Sequence, residues 1–442
     1  MSDLDLLSDL IRRAQAAGAD AADAILVAGT SIGVQRRLGQ TEQLVRSEGR
    51  DLGLRVFVGD RSANVSSTAV DPTGFDELAR RAVAMARVVP EDSFAGLAEQ
   101  AAAPEPVDLD LEDPTEPDMD ALLRRASLAE EAALGVDGVT NTEGSEAGYS
   151  RAELMLVTSA GFAGRQVRTS HSVSATALAG EGTAMQRDYD YSSTVHLGDL
   201  EDAAGIGRVA GEKAIARLNP SRPKTARLPV VYDPRVAGSL LGHLAGAING
   251  SAIARGTSFL KERMGQQIFA RGVSVRDDPR RVRGLRSRLF DAEGVPTRAR
   301  QVIEDGVLTT WFLDSRTARQ LGLRTTGHAA RSVGGPPAPV PTNLYLEAGT
   351  VTPAELMADI KEGLYVTELM GMSVNGITGD YSRGAAGFMI RDGALAEPVA
   401  EITIAGSLPE MFLHLTPAND LRFRRGTDAP TVRVEAMTLA GA

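Results

Sequence analysis

Cysteine is absent from the whole chain of 442 residues. This absence excludes disulfide bonds, thiolate metal ligands and a cysteine nucleophile. No run of about 18 consecutive apolar residues occurs, so the sequence predicts no membrane-spanning helix. Residues 1–20 carry acidic side chains where a secretory signal peptide needs positive charge. We therefore expect a protein of the reducing cytoplasm.

Aromatic residues and long basic blocks are also scarce. Aromatic side chains make up 4% of the chain, so the core must be built mainly from Leu, Val, Ile and Ala. The formal net charge is -11, and turn residues interrupt the densest basic stretch, DDPRRVRGLRSRLF. Because a nucleic-acid surface needs a basic patch that displaces counterions, we expect no direct binding of DNA or RNA.

The remaining composition is that of an ordinary globular protein, with 43% hydrophobic and 24% charged residues. The 46 glycines, many at turns between short apolar runs, predict substantial β structure. We predict an α+β fold, with an N-terminal α/β domain followed by a mostly antiparallel, barrel- or sandwich-like C-terminal domain. The expected divisions are an N-terminal α/β region at 1–100, a connector rich in Pro and acids at 101–118, a helix and strands that complete the N-terminal domain at 119–220, and the β-rich C-terminal domain at 221–442.

Helices and hairpins follow from periodicity and turn residues. Apolar side chains at helical spacing predict an opening helix that ends near Gly18, and further helices at 75–88, at 119–133, within 199–219 and at 235–249. The last of these is expected to be the one helix set into the C-terminal β layer. Hairpin turns are predicted where turn pairs separate apolar runs, at Gly59-Asp60, Asp305-Gly306 and Asp392-Gly393.

Two short motifs suggest catalysis. GTSIG, residues 29–33, matches the G-x-S-x-G nucleophile elbow, which needs a helix directly after it. The following VQRRLGQTEQLV indicates a strand instead, so a glycine-flanked hairpin turn is favoured. The acids of VRDDP and LFDAEGVPT could form a carboxylate pair, which acid–base catalysis needs at a defined separation in a cleft. Both lie in turn sequences, and a structural role is favoured.

Histidines are the remaining candidates, and the chain has five. His328 lies in TTGHAARSVGGPPAPVPTN, a long Gly/Pro-rich segment typical of lids and binding loops, and is a candidate for contact with substrate. His243 lies in SLLGHLAGAINGSA, beside the apolar stripe of the predicted helix. A catalytic zinc ion needs two or three converging ligands, yet no second His, Asp or Glu occurs between Ser239 and Phe259. The residue types alone favour a packed histidine at the edge of the core.

Four stretches, in order, resemble the PmbA/TldE members of the TldD/TldE (PmbA) family, once called modulators of DNA gyrase. They are SLLGHLAGAINGSAIARGTSFLKERMGQQIF, FDAEGVPTRARQVIEDGVLTTWFLD, VTELMGMSVNGITGDYSRGAAGFMIRDGALAEPVAEITIAGSLPEMF and NDL near the end. The resemblance runs from about residue 20 to the C-terminus. It implies a two-part fold, and a dimer in which TldD and TldE subunits enclose a central cavity. It also implies cleavage of unfolded peptides, among them the leader of a ribosomally made peptide antibiotic and a small antitoxin.

The resemblance also implies where zinc would be held. TldD-type chains carry H-E-x-x-x-H on a helix and a cysteine ligand near the C-terminus. Here Gly242, His243 and Ala247 occupy the motif positions, and Ala429 lies about where the cysteine is found. His243 takes the place of the glutamate and not that of a ligand. We therefore expect no metal ligands and no cofactor in this chain, with zinc in the TldD-type partner.

The resemblance thus predicts a TldE-type subunit that forms cavity wall and holds peptide without catalysing hydrolysis itself. The expected partners are a TldD-type subunit and an unfolded peptide, and the shared fold would also allow a homodimer when that subunit is absent. The expected substrate-binding residues are His328, Asn375, Thr378, Asp380, Tyr381, Ser382 and Arg383. The alternative for GITGDYSRG is a demanding turn that holds the β layer together.

Two other functions remain open from the sequence. The chain could be an autonomous metallopeptidase in which His243 acts with distant acids or with His328, and stoichiometric zinc in the pure chain would support that hypothesis. It could also be a non-enzymatic protein that sequesters peptides or regulates a topoisomerase. Copurification of a TldD-like partner rather than gyrase would argue against the second alternative.

Overall fold

The computed structural model describes residues 2–99 and 106–442, so residues 101–105 of the predicted connector lie outside the described part. The helices are α1 (Asp3–Ala16), α2 (Phe75–Val88), α3 (Met119–Leu134), α4 (Ala203–Ala216), α5 (Pro234–Ala247), α6 (Gly250–Ala254), α7 (Ser315–Gln320), α8 (Pro353–Met357) and α9 (Leu408–Leu413). The strands are β1 (Ala21–Arg37), β2 (Gln40–Val58), β3 (Arg61–Ser67), β4 (Val139–Thr158), β5 (Ala163–Ala179), β6 (Gln186–Thr194), β7 (Ala226–Tyr232), β8 (Val275–Asp277), β9 (Arg300–Glu304), β10 (Val307–Leu308), β11 (Ala329–Ala330), β12 (Ala338–Pro339), β13 (Leu344–Leu346), β14 (Glu362–Val374), β15 (Asp380–Arg391), β16 (Ala394–Ser407), β17 (Leu415–Pro417), β18 (Thr427–Asp428) and β19 (Val432–Ala440). None of the described helices is long and apolar enough to cross a membrane.

A six-stranded antiparallel sheet, in the order β3-β2-β1-β4-β5-β6, forms the first half of the fold. Its four central strands are long, with 19, 17, 20 and 17 residues in β2, β1, β4 and β5. The predicted hairpin at Gly59-Asp60 joins β2 to β3 and is confirmed. Residues 40–51, the first part of β2, are all exposed, whereas the far ends of β1 and β4 pack against α3.

The two faces of this sheet have different neighbours. On β1, Ala22, Ala24 and Leu26 share one apolar core with helices α1 and α2. Because side chains alternate across a strand, Asp23 and Ile25 point to the opposite face, where residues of the C-terminal half pack against them. The sheet is therefore a wall between a helical layer and the C-terminal half.

A closed five-stranded barrel lies at the centre of the C-terminal half. Strands β16, β15, β14, β7 and β19 pair in that order, and pairing of β19 with β16 closes the barrel. The β7–β14 pair is parallel and the other barrel pairs are antiparallel. A separate five-stranded sheet, β10-β9-β8-β13-β18, completes this half. One apolar core, which includes Leu240 and Leu244 of α5, joins the barrel to that sheet.

The structure confirms the predicted α+β class, the antiparallel barrel-like C-terminal half, and the hairpin turns at Asp305-Gly306 and Asp392-Gly393. Two predictions are wrong. Helix α5 is not alone in the C-terminal half, because α6 to α9 add four short helices of five or six residues. GTSIG (29–33) is not a turn but a continuous part of β1, paired with β2 on one side and β4 on the other. Two ladders of backbone hydrogen bonds outweigh the local preference of glycine for turns.

Candidate functional site

Helix α5 begins where the local sequence provides a cap. Asp233 is the N-cap residue, and its carboxylate accepts a hydrogen bond from the backbone N–H of Arg235 at 2.8 Å. Pro234 occupies the first helical position, where the N–H group that it lacks would have no partner in the helix. The buried face of the helix consists of small and aliphatic residues, which are Ala237, Leu240, Leu241, Leu244, Ala245 and Ala247. This face fixes α5 in the C-terminal core.

The opposite face of α5 is open. Arg235, Ser239, Gly242 and Gly246 follow at intervals of four, three and four residues, which places them on one side of the helix. A Cβ atom at Gly242 or Gly246 would meet no other atom within 4 Å. Gly242 and Gly246 therefore form a smooth strip along the helix, which we name the α5 strip.

A cavity of about 300 Å³ lies beside the N-terminal part of α5. Strand β6 and the end of α4 bound it on the side of the N-terminal sheet, and barrel strands β14 and β15 bound it on the other side. We name it the α5 pocket, and its lining residues are Arg187, Tyr189, Arg217, Arg235, Val236, Ser239, Thr367, Glu368, Leu369 and Arg383. Both halves of the fold therefore contribute to this pocket.

Two of the four arginines in the α5 pocket share one buried carboxylate. Arg235 donates to both oxygens of Asp188, with Nη2 3.2 Å from Oδ2. Arg217 donates to the same Asp188 at 3.2 Å and forms a second ion pair with Glu368. Burial disfavours the charged form of Asp188, but hydrogen bonds and charge from the two arginines outweigh burial and lower the pKa of this carboxyl. These charges therefore balance within the pocket wall.

The other two arginines differ from each other. Arg187 is exposed and pairs with Glu143 at 3.1 Å. Arg383 is only 8% exposed, and its Nε donates to the backbone oxygen of Met370 at 3.3 Å. Within residues 2–99 and 106–442, no carboxylate pairs with Arg383. The pocket therefore contains one buried positive charge that its own wall does not neutralise.

His243 lies on α5 directly after the first glycine of the α5 strip. Its ring meets the ring of Tyr381 edge to face, with centroids 5.8 Å apart. Burial, and then the nearby charge of Arg383, lower the pKa of His243, so its imidazole is neutral at neutral pH. Its Nε2 atom is buried and has no hydrogen-bond partner among the described residues.

The donor atoms around α5 do not fit a catalytic zinc ion. Of the three predicted motif positions, Gly242 and Ala247 carry no donor atom, and only His243 does. Elsewhere in the part of the chain that the structure describes, no group of three or more His, Cys, Asp or Glu side chains could hold a metal ion. A catalytic zinc site takes three protein ligands and keeps one position open. That this chain binds no metal stays a prediction, which metal analysis can test.

Three of the predicted substrate-binding residues form the turn between β14 and β15. Asn375 Oδ1 accepts hydrogen bonds from the backbone N–H groups of Ile377 and Thr378, at 2.9 and 3.3 Å. The Thr378 hydroxyl donates to the Asp380 carboxylate at 2.6 Å. The side chains of Asn375, Ile377, Thr378 and Asp380 are all exposed. The turn is self-contained, and its exposed polar groups remain accessible to a partner or a peptide.

The next three predicted residues alternate along β15. Tyr381 is 1% exposed and Arg383 is 8% exposed, whereas Ser382 between them is exposed. Of the seven predicted residues, the structure brings Arg383 into the α5 pocket and Tyr381 against His243. The predicted roles of these residues stay predictions.

His328 belongs to a different environment. It is 1% exposed, with Nε2 3.1 Å from Asp277 Oδ2 and Nδ1 2.8 Å from Thr326 Oγ1. Its ring lies 4.6 Å from that of Phe312, and it does not line the α5 pocket. Asp277, an acid of VRDDP, is therefore the hydrogen-bond partner of this histidine.

The acids of LFDAEGVPT lie in a turn, as predicted, but they are buried. Asp291 Oδ1 accepts from the backbone N–H groups of Glu293 and Val295, at 2.9 and 3.0 Å. Burial and the nearby charge of Glu293 raise the pKa of Asp291 to about 7, and burial also raises the pKa of Glu293. A turn sequence gives no signal of such burial, because distant segments provide the cover.

Sequence periodicity does not single out Arg217 or Arg235, which the structure places in the α5 pocket. One signal was available for Arg235. It occupies the first turn of α5, where the helix dipole disfavours a positive charge, so a stabilising carboxylate is expected nearby. The sequence does not show that this carboxylate is Asp188.

Three family models match the chain in order. They are described as PmbA/TldA metallopeptidase domain 1, central domain and C-terminal domain, and they match residues 22–86, 112–218 and 225–441. Metalloprotease PmbA of Escherichia coli O157:H7 is 36% identical over 425 residues, which cover 96% of this chain and 92% of that protein. The Metalloprotease PmbA homolog of Haemophilus influenzae is 32% identical and covers 98% of this chain and 95% of that protein.

Solved structures have the same fold. A Bacteroides thetaiotaomicron protein, proposed to be a modulator of a DNA gyrase, superposes with a TM-score of 0.91 at 27% identity, over 99% of this chain and 98% of that chain. TldE from Thermococcus kodakarensis superposes with a TM-score of 0.89, over 99% of this chain and 100% of that chain, and at 21% identity this likeness concerns the fold alone. The family models and the curated relatives confirm the resemblance found in the sequence: the chain belongs to the PmbA/TldD family of metallopeptidases.

Proposed function

We propose that this chain is the TldE-type subunit of a two-subunit metallopeptidase that cleaves unfolded peptides. The observation that carries the proposal is the donor set of α5, in which His243 alone offers a ligand atom. A single imidazole cannot hold a catalytic zinc ion. In this proposal a TldD-type partner holds the zinc, and this chain forms one wall of a shared cavity and holds the peptide.

The α5 strip supports a peptide-holding role. Gly242 and Gly246 leave space above the helix, so the backbone of an extended peptide can approach α5 closely. Contacts to a peptide backbone do not depend on the identity of its side chains, so peptides of many sequences can bind in this way. This property suits unfolded substrates such as a leader peptide or a small antitoxin.

The predicted substrate-binding residues keep their place in the proposal, with different degrees of access. Asn375, Thr378, Asp380 and Ser382 would line the cavity with exposed polar groups. Arg383 would act from within the α5 pocket, next to Tyr381. His328 would reach a peptide only after its covering segment moved, because it is 1% exposed.

A peptidase assay on the separate and the mixed subunits tests this proposal. The full chain, its TldD-type partner and an equimolar mixture are each incubated with an unstructured peptide, and the zinc content of each protein is measured. We expect cleavage by the mixture to exceed that of either subunit, and zinc to be bound by the partner. Stoichiometric zinc and cleavage in the pure chain would instead establish the autonomous metallopeptidase.

Alanine variants test the lining role separately. Asp380→Ala and Arg383→Ala are each combined with the partner, and Arg391→Ala provides the control. Arg391 lies on the same strand, β15, but pairs with Glu362 and Glu397 outside the α5 pocket. We expect slower cleavage with the first two variants and unchanged cleavage with the control. Unchanged cleavage with all three would show that these residues do not line the substrate site.

A further inference from the structure

Arg383 is a buried cation that forms no ion pair with any carboxylate of the described residues. Removing a charge from water is costly, so buried arginines are normally paired with carboxylates. The other arginines of the α5 pocket follow this rule, through Asp188, Glu368 and Glu143. Arg383 has instead one long hydrogen bond to a backbone oxygen, although it is only 8% exposed. An anion from outside the chain would therefore supply the partner that this guanidinium group lacks among the described residues.

The charges around Arg383 indicate which anion fits. Four guanidinium groups line the pocket and three carboxylates pair with the other three, so one positive charge remains among the described residues. One positive charge matches a monoanion such as a carboxylate. A phosphate group, with nearly two negative charges at neutral pH, would also face Asp188 and Glu368. The planar fork of an arginine binds a carboxylate through two parallel hydrogen bonds, and exclusion of water strengthens them.

The size and surroundings of the pocket favour the end of a chain. Its volume of about 300 Å³ lies at the lower limit of small-ligand pockets, roughly 300–1,000 Å³. Val236 and Leu369 give its wall an apolar part, which suits one aliphatic side chain. Ser239, which lines the pocket, lies on the same side of α5 as Gly242 and Gly246, and the open space at these glycines has room for the preceding residues of a peptide.

We propose that the α5 pocket binds the C-terminal α-carboxylate of a peptide through Arg383, with the terminal side chain against Val236 and Leu369. The inference rests on the proposed function and deepens it, because it states which end of the substrate this subunit holds. The preceding residues of the peptide lie along the α5 strip. The subunit thereby selects the free C-terminal end of a peptide, which internal segments of a chain do not present.

Peptides that differ only at the C-terminus test the inference on the unaltered full chain. A fluorescently labelled, unstructured peptide without Asp or Glu and with a terminal Leu is prepared as the free acid and as the amide. Binding is measured by fluorescence anisotropy. Because a charge-assisted hydrogen bond contributes about 1.5–3 kcal/mol, we expect the free acid to bind about tenfold or more tightly than the amide. Equal affinities would overturn the inference.

A third peptide distinguishes recognition of the C-terminal carboxylate from recognition of an acidic side chain. It is an amide with one internal Glu, and we expect it to bind as weakly as the plain amide. If it binds as tightly as the free acid, the pocket recognises acidic side chains and the C-terminal assignment is wrong. Binding of all three peptides with equal affinity would leave the proposed function intact, whereas binding of none would contradict both proposals.

Variants connect the preference to Arg383. Arg383→Met is expected to abolish the difference between acid and amide, Arg383→Lys to keep part of it, and the β15 control Arg391→Met to keep all of it. Far-UV circular dichroism and thermal melting establish that each variant is folded. A folded Arg383→Met protein that still prefers the free acid would overturn the inference. If Arg383→Met does not fold, Arg383→Lys and the three peptides on the unaltered chain still decide the result.

Discussion

Replacement of Asp23 by asparagine is expected to destabilise the fold strongly, because this carboxylate balances two buried arginines from opposite halves of the molecule. Asp23 is fully buried on β1. Its Oδ2 accepts from Nε of Arg55 on β2 at 2.8 Å, and its Oδ1 accepts from Nη1 of Arg331, 308 residues along the chain, at 2.6 Å. Burial disfavours the charge on Asp23, but the attraction of Arg55 and Arg331 outweighs burial and lowers its pKa.

The magnitude follows from what each arginine loses. Asp23→Asn preserves the shape of the side chain and removes its charge. Arg55 keeps Glu293, whose Oε1 is 3.8 Å away, whereas Arg331 has no second carboxylate partner among the described residues. Two unit charges about 4 Å apart attract each other by about 4 kcal/mol at an effective dielectric constant of about 20. Loss of one member of a buried pair costs about 3–5 kcal/mol. We expect the free energy of unfolding at pH 7 to fall by about 4 kcal/mol.

Urea denaturation measures this loss, followed by circular dichroism and by the fluorescence of Trp311, which is buried in the C-terminal core. Asp76→Asn is the control, because its carboxylate pairs with Arg13 at the surface and its loss should cost less than about 1 kcal/mol. Arg331→Met completes a double-mutant cycle, in which the double variant should lose less than the sum of the single losses. A loss at Asp23 no larger than the control, or additive losses, would refute the proposed coupling.

The remaining predictions concern pH and the glycines of α5. The pKa of Asp291 is raised to about 7, so between about pH 4 and pH 7 the native state holds a proton that the unfolded state has lost. The free energy of unfolding should therefore fall by about 1.4 kcal/mol for each pH unit as the pH rises through this range. The difference in unfolding free energy between the unaltered chain and Asp291→Asn should show this slope, and a difference independent of pH would contradict it. Gly238→Ala should destabilise α5 by about 1–3 kcal/mol, because its Cβ atom would lie 2.9 Å from the carbonyl oxygen of Thr427. Gly242→Ala, in open space on the same helix, should stabilise it by up to about 1 kcal/mol, and equal melting temperatures for the two variants would contradict this contrast.

Local signals were sufficient for several elements of the fold. Apolar spacing predicts α2 with the bounds that the structure has, Phe75–Val88. The Asp392-Gly393 pair predicts the hairpin between β15 and β16, because both residues adopt positive φ there, at 48° and 81°. In these segments the periodicity and the turn residues act within a few residues of each other, and no distant part of the chain opposes them.

Local signals failed where distant segments determine the environment. GTSIG (29–33) contains two glycines, yet it is held in a strand by neighbours on both sides. The Gly/Pro-rich segment that follows His328 is predicted to be a lid or binding loop, which stays a prediction, but its packing has no signal in the sequence. In the structure it packs against the N-terminal sheet, and a Cβ atom at Gly53 would lie 2.1 Å from the carbonyl oxygen of Val333. The same segment brings Arg331 to Asp23. Neither contact has a signature in the sequence, because the residues concerned are hundreds of positions apart.

Two positions of the family's H-E-x-x-x-H motif on α5 differ in how far packing restricts the side chain that can stand there. A Cβ atom at position 242 would meet no other atom within 4 Å, so a side chain there begins in open space outside the core. Ala247 is 6% exposed, and a longer side chain there would force the surrounding residues to move. The Cβ atom of a histidine introduced at 242 would therefore meet no obstacle, whereas a histidine at 247 would need compensating changes around it. For the proposed subunit this means that substitutions at the open face of α5 can change peptide holding without disturbing the close packing of its buried face.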